Sequence, residues 1–597
     1  MKKIITIFLS TILIFVFITS CNKTKEETPE TIPNHTTEST VVSSEDTNKN
    51  AGDSESSNAT PVSDFKYESN ENGGITITEY LGKDTEIIFP SKIDDKNVTE
   101  ITFKSWINIF QVETVVIPDT VTHIGKLVFS HCSNLKSITL SKNLKKIGSG
   151  AFFRCSSLNK IEFPSTLEAI DSGAFEECTG LSDVKLPQSL TFIGARAFYN
   201  CISLKHITIP GDCLNEYSWD AFACSGLETV ILEAGVKMIP TTVFFGTNIT
   251  SISLPQSVES IAYAAFGDCK KLESVELNQG LRSMDSAVFA NTKITELVIP
   301  STITEINEMA FTSCKSLEKV TFEGDAPSAY LYSNEVTVID VPKNVHYTIY
   351  YHENANGFTS PIWNGYKTQM IGAEPTEIPT YHGFEYLENE EGNITIFSYI
   401  GSESEVIIPQ QIDGENVTRI GARAFKYNNS IVSIVIPDTV TVIDQSAFYC
   451  CSALENVQFS NTLTSIETAA FFACSSLKTV TFPDSLYSIG KDAFSNGRNL
   501  ETIVLNHGLA NIEDGAFAYA DKLTEVIIPS TVESMTEYAF VACRSLQKMK
   551  FEGDAPNQFR STNPDEQHPI QNYTIYYHSN AEGFSSPQWN GYPTEIW

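Results

Sequence analysis

The sequence predicts a β-rich solenoid, a fold in which one short unit is stacked repeatedly on copies of itself. An aromatic anchor recurs about every 23 residues, and a fixed period over most of a chain is typical of stacked repeats. Apolar residues alternate after each anchor, as in a half-buried strand, and proline often ends that stretch because it cannot donate to a ladder. The anchors are Trp106, Phe129, Phe152, Phe175, Phe198, Phe222, Phe244, Phe266, Phe289, Phe311, Phe425, Phe448, Phe471, Phe494, Phe517 and Phe540.

The parts of one unit are clearest between Pro187 and Pro210. The segment Leu190–Ile193 predicts a short extended side. Gly194 and the Ala-Phe that follows predict a tight turn or a single helical turn. The segment Leu204–Ile209 has apolar residues at alternate positions and predicts a strand with one buried face. Equivalent strands of successive units should then run parallel, at about 4.8 Å per coil.

The recurring pattern I-G-x-x-A-F-x-x-C-x-x-L-x-x-I-x-I-P resembles the BspA-like leucine-rich repeats of bacteria. The resemblance covers nearly the whole chain from about Asp64 to Trp597. It implies a right-handed β-rich solenoid with parallel strands and short helical turns. It also implies an interaction protein exposed at the cell surface, since some members of the family bind host matrix proteins. That functional expectation is an analogy, because one fold can carry many functions.

The first twenty residues predict a lipoprotein signal peptide. A basic start is followed by the apolar run Ile4–Ile18 and by Ile-Thr-Ser-Cys21, which resembles a bacterial lipobox. We expect a lipid on Cys21 that anchors the protein to the bacterial cell membrane, facing outside; an ordinary cleaved signal is the alternative. Residues 21–63 predict a disordered Ser/Thr/Glu-rich tether, because they hold too few apolar residues to offset the entropy of ordering.

The rest of the chain is a duplication. Similar hairpin-like segments begin at Phe65 and Phe384, and similar aromatic segments occur at Tyr347–Tyr366 and Tyr573–Tyr592. Terminal coils must cover an apolar end, so these segments predict caps at the start and end of each of two tandem arrays, which we expect to fold separately. The predicted boundaries are 64–372 for the first array, 373–380 for a linker and 381–597 for the second array.

The net charge limits the possible partners, and the cysteine positions indicate what the cysteines do. The formal net charge of −33 argues against nucleic acid and anionic membrane surfaces as partners. Cysteines in an exported chain first suggest disulfides, but most of these lie three residues after an anchor, where Thr247 or Ala520 stands in other coils. We therefore predict a ladder of small buried thiols, with disulfides between adjacent coils as the alternative. The ladder cysteines are Cys132, Cys155, Cys178, Cys201, Cys269, Cys314, Cys451, Cys474 and Cys543.

The sequence offers no convincing catalytic or metal-binding constellation, so we expect neither enzyme activity nor a cofactor. It contains no G-x-S-x-G, H-E-x-x-H or phosphate-binding glycine loop. Matches to S-x-x-K, such as Ser157 with Lys160, follow from the repeat itself. His352 and His578 occupy equivalent positions, where a solvated or capping role is favoured over a ligand role.

Recognition is the remaining function. We expect a surface protein that binds an extracellular protein or glycan, or else an envelope scaffold without a specific ligand. We expect a monomer that meets no nucleic acid and meets the membrane only through its lipid. The binding surface should be formed by exposed positions of successive strands, where Val504 and Ile527 would make a small apolar pair. The candidate residues are Thr139, Glu162, Lys185, Thr208, Gln458, Thr481, Val504 and Ile527.

Overall fold

A computed structural model describes two compact units. The described residues are 59–103, 109–211, 213–327, 329–331, 347–363, 366–375, 377–389, 391–556, 559 and 573–597. The first unit holds those up to Leu317, with Pro327 and the strand Ala329–Leu331. The second holds Glu318–Ala326 and those from Tyr347 onward. The signal peptide, Cys21, most of the tether and Trp106 lie outside the described residues.

The predicted linker lies inside the second unit, not between the two units. Two contacts join segments on either side of it: Lys367 Nζ lies 2.9 Å from Glu385 Oε1, and the guanidinium of Arg423 lies 5.1 Å from the ring centroid of Tyr366. Separate folding of the two predicted arrays stays a prediction.

Each unit is a parallel β-solenoid, which confirms the predicted fold class. Most coils contribute a first strand of three or four residues and a second strand of two. Parallel partners are one coil apart, so that Ile161 faces Val184 on first strands and Ile147 faces Ile170 on second strands. Side chains of the first strands alternate between solvent and core, as in Lys160–Glu162. The apolar periodicity of the sequence thus determines which face is buried.

In the first unit, an opening hairpin of Phe65–Ser69 and Ile75–Tyr80 precedes the coils, and Lys92–Ile93 forms a second small hairpin with Lys96–Ile101. The first strands are Glu86–Ile88, Thr114–Val116, Ser137–Thr139, Lys160–Glu162, Asp183–Lys185, His206–Ile209, Thr229–Leu232, Ser251–Ser253, Ser274–Glu276 and Glu296–Ile299. The second strands are Lys96–Ile101, His123–Ile124, Lys146–Ile147, Ala169–Ile170, Phe192–Ile193, Met238–Ile239, Ser260–Ile261, Ser283–Met284, Glu305–Asn307 and Ala329–Leu331.

The second unit is built in the same way. It begins with Lys319–Phe322, Thr348–Tyr351, Ile362–Trp363 and Tyr366–Met370, followed by Thr380–Tyr381 and the hairpin Phe384–Glu388 with Ile394–Tyr399. The first strands are Glu405–Ile407, Ser433–Val435, Asn456–Gln458, Thr479–Thr481, Thr502–Val504, Glu525–Ile528, Lys548–Phe551 and Thr574–Tyr577. The second strands are Glu415–Ile420, paired with Gln411–Ile412, then Val442–Ile443, Ser465–Ile466, Ser488–Ile489, Asn511–Ile512 and Ser534–Met535; Gln588–Trp589 and Tyr592–Ile596 close the unit.

The anchor phenylalanines form a continuous stack through the core of each unit. Phe175 and Phe471, for example, are fully buried. The centroids of Phe152 and Phe175 lie 5.0 Å apart with nearly parallel rings, and those of Phe448 and Phe471 lie 4.7 Å apart. The anchors therefore lie where the period of the sequence placed them, each ring packed against the next coil.

The return that carries each anchor is a tight turn with two left-handed residues in most coils. Around Phe198, Arg196 and Asn200 both have φ of 57°. The described residues contain no α-helix, only the 3₁₀ helices Val62–Asp64, Glu308–Phe311 and Glu537–Phe540. Of the two predicted forms of this return, the tight turn is therefore confirmed for most coils. A short helical turn occurs at Phe311 and Phe540, where the residues two positions before the anchor are part of a 3₁₀ helix.

The second-strand sheet of the first unit is interrupted once. No second strand lies between Phe192–Ile193 and Met238–Ile239 among the described residues, where one extra residue separates Phe198 from Phe222. The coil stays attached through other groups: the N–H of Ile193 donates to Cys213 O at 3.0 Å, and Ser218 Oγ donates to Ile193 O at 2.6 Å. In the second unit the corresponding sheet runs without a break from Thr380–Tyr381 to Ser534–Met535.

Candidate binding surface

The candidate residues all lie on the outward side of the first strands. Within Lys160–Glu162, the inward Ile161 is buried while its two neighbours are exposed, and the same alternation holds in Thr479–Thr481. The eight residues that the structure places there, all exposed, are Thr139, Glu162, Lys185, Thr208, Gln458, Thr481, Val504 and Ile527. Their outward position follows from the strand period, whereas their role in binding stays a prediction.

In the first unit, the outward row contains charges that pair with one another. Glu162 faces Lys185 in the ladder. Lys160 Nζ lies 2.9 Å from Glu162 Oε1 and 3.7 Å from Asp183 Oδ2. The hydrogen bond to Lys160 lowers the pKa of Glu162, and the same contact raises the pKa of Lys160. Farther along, Ser253 Oγ donates to a carboxylate oxygen of Glu276 at 2.8 Å.

In the second unit, the outward row is uncharged over its middle. Thr481 faces Val504, and the strand after Thr502–Val504 presents Ile527. Val504 is 46% exposed and Ile527 is 41% exposed. On the other side of Thr481, Gln458 faces Val435. The apolar pair anticipated at Val504 and Ile527 therefore exists as an exposed feature.

The candidate set omitted Ile407, which is 73% exposed. It lies on the strand Glu405–Ile407 and faces Val435. A signal for it is present in the sequence, because Val-Ile-Ile-Pro409 repeats the Val-Ile-Ile-Pro529 that contains Ile527. The position was missed because this strand belongs to the opening segment, before the first anchor of the array.

The ladder cysteines are structural. All nine are free thiols, and Cys314 is the one that is not fully buried. Cys178 Sγ donates to the carbonyl oxygen of Phe152, the anchor of the preceding coil, at 3.0 Å. Burial raises the pKa of the Cys155, Cys201 and Cys474 thiols well above the usual value, which suppresses the reactive thiolate. The predicted ladder of small buried side chains is confirmed.

Two buried carboxyl groups were not anticipated. Asp220 and Asp492 each stand two residues before an anchor, in left-handed conformation. Burial raises the pKa of Asp220 to about 6, although Thr242 and Arg196 lower it. Burial also raises the pKa of Asp492 to about 6. Several other coils carry Gly or Ala at this position, so no pattern in the repeat pointed to a buried acid there.

The histidines of the two aromatic segments have different surroundings. His352 Nε2 lies 3.8 Å from Glu323 Oε2, whereas the ring of His578 stacks on Trp597 at 4.8 Å between centroids. Within the described residues, no three His, Cys, Asp or Glu side chains are grouped so that they could hold a metal ion. The same part of the chain has no helix of the length and apolarity that a membrane span requires.

Comparison with known proteins identifies the repeat. The family model for the BspA type leucine-rich repeat region matches residues 99–228, 146–255, 237–352 and 418–547, which together exceed half of the chain. No curated protein matches this sequence.

Several solved structures are similar. A leucine-rich repeat protein from Bacteroides ovatus is 20% identical and covers 82% of this chain and 99% of its own, with a TM-score of 0.38. A leucine-rich cell surface protein from Faecalibacterium prausnitzii is 22% identical. The match covers 84% of this chain and 96% of that protein, with a TM-score of 0.25. The T. pallidum leucine-rich repeat protein is 32% identical over 29% of this chain and 86% of its own, with a TM-score of 0.28. These TM-scores are low, so the family assignment rests on the family model.

Proposed function

The chain belongs to the BspA-type leucine-rich repeat family, and from this premise we propose that it is a cell-surface lipoprotein that binds an extracellular protein or glycan without catalysis. The supporting observation is the outward face of the first strands, where each coil presents exposed side chains on a backbone fixed by the coils on either side. Such a surface can match an extended partner side chain by side chain. Most of the ladder thiols, by contrast, are buried and donate to a carbonyl of the preceding coil.

A binding screen tests this proposal. Residues 59–597 would be immobilised and exposed to purified matrix proteins and to neutral and acidic glycans. We expect saturable binding of at least one probe, and we expect a substitution at Glu162, Thr481 or Val504 to weaken it. Saturable binding that no substitution of an outward first-strand residue affects would place the recognition surface elsewhere.

A scaffold role without a specific ligand is the second candidate. It is favoured by the outward row of the first unit, where Lys160, Glu162 and Asp183 already engage one another. A face whose charges are mutually paired offers fewer groups to a partner. The same screen separates the two candidates, because a scaffold would bind no probe saturably.

The membrane anchor is a proposal of its own. The Ile-Thr-Ser-Cys21 sequence after the apolar run supports lipid attachment at Cys21. A lipid with two or more acyl chains is enough for stable anchoring. Replacing Cys21 by Ala should release the protein from membranes washed with carbonate. A variant that remains in the membrane fraction would contradict lipid anchoring.

A further inference from the structure

We infer that the partner is a protein and that it docks on the second unit along an uncharged row. The row consists of the outward residues of six successive first strands, Ile407, Val435, Gln458, Thr481, Val504 and Ile527. We call these six residues the neutral row. This inference rests on the proposed binding function and adds the class of partner and the place where it binds.

The neutral row crosses three successive sheets, and buried residues beneath it hold its backbone in place. Val435 lies between Ile407 and Gln458 in one three-stranded ladder, and Thr481 faces Val504 in the next. The inward neighbours Ile434 and Val480 are buried in the core. Since the backbone is fixed from below, the row can bind without ordering a loop, which reduces the entropic cost of association.

The polar middle of the neutral row is not used inside the molecule. The side chains of Gln458 and Thr481 have no hydrogen-bond or ion-pair partner within the part of the chain that the structure describes. The corresponding row of the first unit differs, because Glu162 and Glu276 there contact Lys160 and Ser253. The amide and hydroxyl groups of the neutral row are therefore available to a partner.

The two ends of the neutral row favour a protein over a glycan. Ile407 is the most exposed large apolar side chain among the described residues, and Val504 and Ile527 form a second apolar end. Exposed apolar residues gain free energy from contact with other apolar side chains, which sugar hydroxyl groups do not supply. Depletion of charge is also the compositional mark of the central part of a protein interface.

Charge surrounds the neutral row and limits the kind of protein. Glu405 lies on the same strand as Ile407, and Glu455 precedes one of the middle strands, as does Lys478. At the other end Ile527 faces Lys550, which pairs with Glu525 at 2.6 Å, and Glu501 pairs with Lys522 at 3.5 Å. The chain as a whole carries −33. A fitting partner therefore has an uncharged apolar strip with basic residues next to the part that contacts Ile407, and the net charge of the chain should accelerate the encounter at low ionic strength.

The test compares substitutions in the neutral row with matched substitutions in the first unit. Val504→Glu with Ile527→Glu adds charge to the row. Val298→Glu with Ile231→Glu makes the same change at equivalent strand positions that are 51% and 54% exposed. Residues 59–597 would be titrated with collagen, laminin and vitronectin, and with dextran, mannan and heparin. Lysozyme would report binding by charge alone, and thermal melts would verify that each variant is folded.

We expect at least one matrix protein to bind, and we expect the Val504/Ile527 variant to lose affinity by about tenfold or more. The Val298/Ile231 variant should bind like the original chain. Thr481→Glu, in the polar middle of the row, should also lower the affinity, whereas Thr208→Glu in the first unit should not. Association should also slow as salt is added.

Other outcomes overturn the inference in distinct ways. Binding to a glycan only would reject the neutral row while the proposed binding function stands. The same conclusion would follow if the Val298/Ile231 variant lost protein binding and the Val504/Ile527 variant kept it. Binding no tighter than that of lysozyme means attraction by charge, which also rejects the row. Saturable binding of none of the probes contradicts both the inference and the proposed function.

Discussion

The coils of the second unit all have one length, whereas those of the first unit after Phe222 do not. From Phe425 to Phe540 every anchor follows the last by 23 residues; between Phe222 and Phe311, three of the four intervals are 22. The distance between neighbouring anchor rings differs between the same two regions. Neighbouring anchor centroids are 4.7 to 5.5 Å apart in the second unit and 5.6 to 6.4 Å apart in this part of the first.

The shorter coils also carry a hydroxyl side chain instead of a thiol at the ladder position. A ladder cysteine in a 23-residue coil, such as Cys474, donates to the anchor carbonyl of the preceding coil. The three 22-residue coils carry Ser225, Thr247 and Thr292 there, and each hydroxyl donates to the anchor carbonyl of its own coil. These hydroxyl groups thus close their own turn, and those of Thr247 and Thr292 also lie 3.3 and 3.5 Å from the thiols of Cys269 and Cys314 in the next coil. Uniform coil length therefore favours tight stacking.

The largest expected effect comes from removing an anchor ring. Phe471→Ala should destabilise the second unit by about 3–5 kcal/mol, the usual range for a buried phenylalanine. Phe289→Ala is the matched change, and its cost should be smaller because its neighbours lie at 5.7 and 6.4 Å instead of 4.7 and 4.9 Å. Calorimetric melting of residues 59–597 measures both. An equal or larger loss at Phe289 would remove the link between ring spacing and stability.

The next effect depends on pH and is expected in both units. Because burial raises the folded-state pKa of Asp492 from 3.8 to about 6, the folded state holds this proton more tightly than the unfolded chain. This group therefore lowers stability as pH rises from about 4 to about 6. Asp492→Asn should stabilise the protein by about 1–3 kcal/mol at neutral pH and by little below pH 4. Denaturant titrations across this range measure the difference.

Asp220→Asn is the matched change in the first unit. Its gain should be similar, because burial raises the pKa of Asp220 to the same value of about 6 even though Thr242 and Arg196 lower it. A gain for either variant that does not depend on pH would mean that the carboxyl group stays ionised in the folded protein.

The ladder itself is tested by a smaller change. Cys474→Ala removes a buried contact between two coils and should cost about 1–2 kcal/mol. Thr247→Ala removes the bond to the anchor carbonyl of its own coil and a 3.3 Å contact with the thiol of Cys269, and its cost should be about 1 kcal/mol or less. Cys474→Ser retains a donor and should recover part of the loss. Melting temperatures decide the order, and a costlier Thr247→Ala would mean that the Thr247 hydroxyl stabilises the ladder more than the Cys474 thiol does.

The smallest expected effect concerns surface ion pairs. In the first unit, Lys136 of one coil pairs with Glu113 of the preceding coil, and Lys145 and Lys146 of that same coil pair with Glu168 and Asp171 of the next. Exposed pairs contribute little, so Lys146→Ala should cost about 0.5 kcal/mol or less. Molar sodium chloride should lower the melting temperature of the first unit more than that of the second. A uniform response of both units would show that these pairs contribute nothing measurable.

The sequence could predict the features that side-chain type determines. The period located the anchors, alternation located the outward rows, and the choice of Cys, Thr or Ala after the anchor identified a small buried site. It could not predict the two left-handed residues of each turn, because Arg196, Asn200 and most of their counterparts are not glycine. Those conformations are imposed by hydrogen bonds to the next coil, which are tertiary contacts. The buried state of Asp492 escaped prediction for the same reason.

Hydrogen bonds between coils point in opposite directions on two sides of the solenoid. On second strands, the N–H of Gly148 donates back to Ile124 of the preceding coil. At the turn, the N–H of Phe152 donates forward to Ala174 of the next coil. A chain that leaves a translocation channel from its N-terminal end can therefore complete each second strand at once, whereas each turn waits for the coil that has not yet emerged. The solenoid thus grows with one finished edge and one open edge, and every new coil closes the turn of the coil before it.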